Sequence, residues 1–171
     1  MRDAIHVAAM EGFIDLSSAS FSLAHRVGSP QEQALIECYS RQELERFVSA
    51  RDSLPRHLQG FIVSYTLDEY VGTGARLFLT QDGRGGFALI GGELASLFSL
   101  PGARYGDLLV QQAVELGATK LSCFDAVGKL PALYGRHGFK ETFRAPWDDS
   151  LAPRNWSYDD WGRPDYVEMK R

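Results

Sequence analysis

The chain has 171 residues, 44% of them hydrophobic and 23% charged, with a formal net charge of −4. That is an ordinary composition for one compact domain, here residues 1–171, and the acidic balance argues against a general attraction for nucleic acid or anionic membrane. No apolar run is long enough to span a bilayer, and the opening MRDAIHVAAMEGF lacks the apolar stretch of a secretory signal.

Cys38 and Cys123 follow no metal or redox spacing, which points to reduced thiols in a cytoplasmic protein, with Cys123 in the core. In the first 28 residues, Phe13 to Leu16 or Ser20 to Leu23 can supply a first strand. Ser29-Pro30-Gln31-Glu32 and Ser40-Arg41-Gln42-Glu43 each place a capping serine three residues before a glutamate, which predicts helices near 31–38 and 41–51. GFIVSYT at 60–66 reads as a strand by its β-branched and aromatic content. Thr66 and Glu69 again have capping spacing, so a short helix follows.

ARLFLT, GFALIG and ELASLFSL come next, broken by QDGRGG and GG. Glycines at such breaks supply tight hairpin turns, so an antiparallel meander runs from about Ala75 to Leu100. After it the order alternates. GDLLVQQAVELG is a helix with Leu109, Ala113 and Leu116 on one side and Gly117 as its stop. KLSCFDA is a strand, KLPALYGRHG a helix ending at Gly138, FKETFRAPW a strand starting on Phe139, and DYVEMK the last strand. The sum is an α/β (α+β) mixed sheet, a meander followed by α-β-α-β, with helices packed on it.

The strand ELASLFSL leads through PGARYG into a helix. The first turn of a helix presents unpaired N–H groups and partial positive charge, and glycines let a phosphate come close. Gly102, Gly106 and the amides between them are candidates, with Arg104 as a charged contact. The plainer alternative is a tight loop whose helix is capped by Asp107.

The segments LFSLPGARYGDLLVQQAVELGA (97–118) and KLPALYGRHGFKE (129–141) resemble the GNAT superfamily of acyl-CoA-dependent N-acyltransferases, and the order of elements agrees over about residues 30 to 171. The resemblance implies helices on both faces of the sheet and acetyl-CoA or another acyl-CoA as cofactor. The pantetheine arm would lie between the strand ending near Leu100 and the strand at 120–125, and the pyrophosphate on the amides of 102–107. The implied cofactor segment is Phe98, Ser99, Leu100, Gly102, Ala103, Arg104, Tyr105, Gly106 and Asp107. The family's phosphate loop reads Gln/Arg-x-x-Gly-x-Gly/Ala; aligned on Gly106, this chain has Pro101 and Arg104 at the other two positions. An asparagine often found seven residues before the family's tyrosine is Val127 here.

Acyl transfer to an amine needs a proton donor for the departing thiolate and an acceptor for the amine's proton. By residue type alone Tyr134 reads as a packing aromatic beside Leu130 and Leu133; by the resemblance it is that donor. Glu93 and Asp125 are the candidate bases, with a water chain as the alternative, and His137 is a titratable neighbour or a partner for the helix dipole. The stretch 145–166 carries Trp147, Trp156, Trp161, Tyr158, Tyr166 and the pairs Asp148–Asp149 and Asp159–Asp160. Aromatics with carboxylates suit a cationic amine, a partner protein, or a plug on the sheet edge.

Four scattered histidines give no metal-ligand spacing, and the phosphate-loop, dinucleotide and nucleophile-elbow motifs are missing. The expected activity is transfer of an acetyl or other acyl group from CoA to an amine, by a monomer or dimer. The alternative is a non-catalytic protein of the same fold that binds a partner, a look familiar from small bacteriophage proteins with host-directed roles.

Overall fold

The computed structural model describes the backbone of Ala9–Met10 and the whole of residues 34–171. The possible first strands at 13–16 and 20–23 and the capping signature at 29–32 lie outside the described residues.

The described strands are β1 (Ala9–Met10), β2 (Leu35–Cys38), β3 (Arg76–Thr80), β4 (Gly85–Ile90), β5 (Glu93–Ser99), β6 (Lys120–Phe124), β7 (Lys140–Ala145) and β8 (Tyr166–Lys170). The helices are α1 (Arg41–Asp52), α2 (Arg56–Gln59), α3 (Leu67–Gly72), α4 (Gly106–Glu115), α5 (Lys129–Arg136) and α6 (Tyr158–Trp161). One sheet runs β2-β3-β4-β5-β6-β8-β7, and β1 adds to β5 off that path. All neighbours are antiparallel except β5 with β6 and β1 with β5.

Local chemistry sets the helix ends. The Ser40 and Thr66 hydroxyls accept the N–H groups of Glu43 and Glu69, whose carboxylates return the bond to the cap backbone. Each such cap is worth about 1 kcal/mol. α4 stops at Gly117, whose φ of 105° suits glycine alone, and Ala118 N–H closes back on Ala113 O.

Two expectations fail. Residues 35–38 are strand, not helix: they pair with β3 from Leu35↔Thr80 to Cys38↔Leu77 and cover its edge, and the helix starts only after the Ser40 cap. Residues 60–66 form no strand. Phe61 and Ile62 N–H groups donate back to Leu58 and Gln59 carbonyls, closing the turn after α2, so the β-branched content serves burial and not a ladder.

Helices cover both faces. A Cβ on Gly85 would lie 3.1 Å from Leu109 of α4, and one on its neighbour Gly86 3.2 Å from Phe47 of α1. Because strand neighbours alternate, α1 and α4 sit on opposite sides. α3 joins α1 through Tyr70, whose ring meets Phe47 edge-on at 5.7 Å. α5 joins the α4 side through Asp107, which binds Arg136 and His137.

The feature that shapes the site is a bulge in β5. Phe98 pairs with Gly86 and Ala95 with Ala88, so Ser96 and Leu97 oppose Phe87 alone. Ser96 takes φ 47°, outside the extended region. A bulge bends its strand and sharpens the local twist. β5 meets β6 only at Glu93↔Lys120 and then leaves it.

Candidate functional site

The parting of β5 from β6 makes a gap in the sheet, and its walls carry chemistry of different kinds. A buried network holds the bulge. Tyr70 Oη donates to Ser96 Oγ at 2.7 Å and accepts from Arg51 Nη1 at 2.9 Å. Arg51 is only 4% exposed and also donates to Tyr65 O and Asp52. Sequence reading missed this trio, because an arginine in the last turn of a helix reads as a solvated charge.

β5 ends in the turn 100–106, which is tied down on several sides. Leu100 N–H donates to Arg84 O, Arg84 Nη2 to Pro101 O at 2.6 Å, and Tyr105 N–H to Ser99 Oγ at 3.1 Å. Tyr105 Oη donates to Asp82 Oδ2 at 2.6 Å, joining the turn to the β3–β4 hairpin. Gly102 and Arg104 both have positive φ, 79° and 58°. The expected cap is corrected here. Tyr105, not Asp107, occupies the N-cap, and no side chain caps α4. Asp107 lies inside the first turn and turns its carboxylate to Arg136 Nη2 (2.9 Å) and His137 Nε2 (3.0 Å). Partial burial pulls its pKa up, but those two partners outweigh it and hold the carboxyl below its usual range. Among the described residues the first-turn amides therefore face no side-chain acceptor, and the carboxylate beside them is matched by a guanidinium. Arg136 and His137 meet the first turn of α4 although they stand 29 and 30 residues from Asp107. Nothing local in the sequence marks that meeting.

The remaining candidates sort by face. Phe98 and Ser99 are buried, with Phe98 against Phe47, and β1 pairs with their gap-side backbone edge. Glu93 pairs with Lys120 across β5 and β6, at 3.3 Å. Partners in register share a face, so Glu93, Lys120, Ser122 and Phe124, with Glu168 and Tyr166 of β8, line one side. Burial raises the Tyr166 phenol, with the charges of Glu168 and Glu93 adding to it, and burial followed by the charge of Glu93 pushes Tyr65 up to about 12. Cys123 and Asp125 alternate to the other side, where α5 packs. Tyr134 is 1% exposed there, edge-on to Phe139 at 6.2 Å, and no described group hydrogen-bonds its hydroxyl. Burial, then the neighbouring Cys123, drives its pKa well above that of free tyrosine. Asp125 Oδ2 binds Arg144 at 2.8 Å beside Asp165, and its buried Oδ1 has no partner among the described residues. Tyr134 and Asp125 thus flank Cys123 on one face. Glu93 lies on the other, five residues along β6 from Asp125, about 17 Å at strand rise.

The 145–166 connection stacks its rings on the end of β6. Trp147 meets Trp156 at 4.7 Å and Phe124 at 5.1 Å, and Phe61 meets Trp156 at 4.8 Å and Trp161 at 5.1 Å. Each indole N–H has an acceptor: Asp149, Gly162 O and His57 O for Trp147, Trp156 and Trp161. Asp148 caps Ser150. The cation over Tyr158 is the chain's own Arg163, 4.9 Å from the ring centroid. Beside this cluster a groove of ≈ 630 Å³ opens between α2 and the connection, with Arg56, His57, Arg154, Tyr158, Asp159 and Asp160 on its walls.

No family model and no curated relative matches the sequence. Solved structures do. The chain is similar to spermidine N-acetyltransferase from Vibrio cholerae, determined with CoA and spermine: 19% identity, TM-score 0.56, 81% of this chain and 94% of that one. It is similar to a Bacillus subtilis acetyltransferase determined with CoA, at 14% identity and TM-score 0.50, over 81% and 97%. A ribosomal-protein-alanine N-acetyltransferase from Brucella melitensis matches at 13% identity and TM-score 0.50, over 81% and 98%. At these identities the likeness is one of fold, and that fold is the one expected from residues 97–118 and 129–141.

Proposed function

We propose that this chain, which has the GNAT acyltransferase fold, transfers an acetyl or other acyl group from CoA to an amine. One observation carries the reading: the gap opened by the Ser96 bulge runs to the uncapped amides at the start of α4.

The residues present fit an acyl-CoA. Freed of β1, the edge of β5 at Phe98–Ser99 offers backbone groups to the amides of a pantetheine arm, and the amides of 102–107 other than those of Ala103 and Tyr105, which bond within the turn, suit a pyrophosphate. Arg104 adds charge, and Arg136 offsets the repulsion of Asp107 through their ion pair. Bound there, the cofactor supplies an activated acyl thioester.

The chain's own residues then divide the proton work between the two faces. Tyr134 holds its proton at Oη throughout the physiological range, since burial keeps the phenol neutral. It would serve a departing thiolate as a proton donor and not as a base, with the proton returned to the buried phenolate before the next turnover. The amine nitrogen attacks the acyl carbon from the face of Glu93, Tyr65 and Tyr166. Its proton passes through water to Glu93, because the bulge stands three residues, about 10 Å, from that carboxylate. Asp125 is the weaker candidate for base because it lies on the face of the acid; a cation engages each of the two, Arg144 on Asp125 and Lys120 on Glu93. The acceptor enters beside the 145–166 connection, whose aromatic rings shape the wall. Within it Asp148 caps Ser150 and Asp149 binds Arg163; on the sheet, Glu93, paired with Lys120, and Glu168 add negative charge that attracts a cationic amine.

The second reading is a non-catalytic protein of the same fold, host-directed in a bacteriophage setting, whose 145–166 connection engages a partner protein. It draws on the filled edge of β5 described below. Thiol release from acetyl-CoA separates the readings. The assay offers spermine, spermidine and an alanine-terminated peptide as acceptors, after the names of the similar structures. Amine-dependent release supports the enzyme; no release with any amine, from a protein that binds CoA, favours the binder.

A further inference from the structure

β5 has two edges at its C-terminal end. One is taken by β4, at Gly85↔Ser99 and Gly86↔Phe98. The other faces the gap left by β6, and β1 pairs there in parallel, at Ala9↔Phe98 and Met10↔Ser99. α2 runs alongside β1. The residues that the proposed function assigns to the pantetheine arm therefore already carry a strand of the chain itself.

We infer that the gap-facing edge of β5 at Phe98–Ser99 is a strand-docking edge held by the N-terminal segment Ala9–Met10, which an acyl carrier must displace in order to bind. The inference rests on the acyl-CoA reading above. A pantetheine arm is a linear chain with two amides, so it meets a strand edge as a peptide does. One edge cannot serve both occupants. A two-residue strand makes few ladder bonds, which suits a reversible hold better than a permanent seal. The apparent affinity for the carrier is then the intrinsic affinity reduced by the fraction of molecules in which β1 has left.

The test uses the full chain with Ala9→Pro and Met10→Pro together. In a parallel ladder alternate residues turn their N–H to a given neighbour, so one of the two positions supplies β1's bond to β5. Proline removes that donor. The double variant should bind CoA about 2- to 12-fold more tightly by calorimetry, the equivalent of one net backbone bond. In the unaltered chain, CoA should speed amide exchange in the peptide containing residues 9–10 while slowing it at 102–107. Equal or weaker binding by the double variant overturns the inference and leaves the cofactor reading standing. So does exchange at 9–10 that CoA leaves unchanged. Failure of every form to bind CoA overturns the cofactor reading itself, and this inference with it. If the double variant loses its melting transition, deletion of residues 1–12 takes its place under the same criteria.

Discussion

Tyr134→Phe separates chemistry from packing at the centre of the proposed site. The ring sits 1% exposed, edge-on to Phe139, and no described group bonds its hydroxyl. Phenylalanine keeps the ring and those contacts. No hydrogen bond is lost, so stability should change by no more than about 1 kcal/mol, a melting shift within about 4 °C for a chain of this size. Turnover should respond very differently. Losing a general acid costs about 10²- to 10⁴-fold, so kcat should fall at least about 100-fold, or about 3 kcal/mol of barrier. KM for acetyl-CoA should stay within about 3-fold, because the phenol acts on the departing sulfur and not on the bound ground state. Initial rates of thiol release, with a thermal melt on the same sample, measure both. A kcat within about 3-fold of the parent protein would refute the assignment and leave Tyr134 as a core aromatic.

Tyr70→Phe should do the opposite: it removes the link between buried Arg51 and Ser96, costs about 2–4 kcal/mol in urea unfolding with m unchanged, and weakens CoA binding by loosening the bulge. Val127 is 73% exposed and held at φ 55°; Val127→Asn should relieve that strain and raise the melting temperature by about 2–4 °C, and no gain would count against the left-handed turn. Asp82 and Asp107 both sit below the usual carboxylate range, each with desolvation opposing and hydrogen bonds prevailing. The stability they give is full above about pH 4 and is lost as acid protonates them, so the melting temperature should fall from pH 5 to pH 3, and Asp82→Asn should flatten that profile.

The meander was legible because glycines punctuate it: Gly83, Gly91 and Gly92 all adopt positive φ at its two turns. The starts of α1 and α3 were legible because both caps are local, serine or threonine with glutamate three residues on. Leu35–Cys38 was not, since four residues carry no clear period and their strand character comes from pairing with β3. Gly60–Thr66 misled because composition cannot tell a ladder from a buried turn. At the site, the turn and α5 could be found from their glycines and from Tyr134. The bulge could not, because Ser96 owes its backbone to Tyr70, 26 residues away. Nor could the placing of the aromatic connection: its indoles bond to His57, Asp149 and Gly162, and the rings close the end of β6.

The most direct measurement is a crystal structure with CoA. The pantetheine arm should lie between β5 and β6 against Phe98–Ser99, the pyrophosphate on the amides of 102–107, with Ala9–Met10 gone from that edge. CoA bound elsewhere, or crystals grown in saturating CoA with β1 still paired to β5, would contradict that placement.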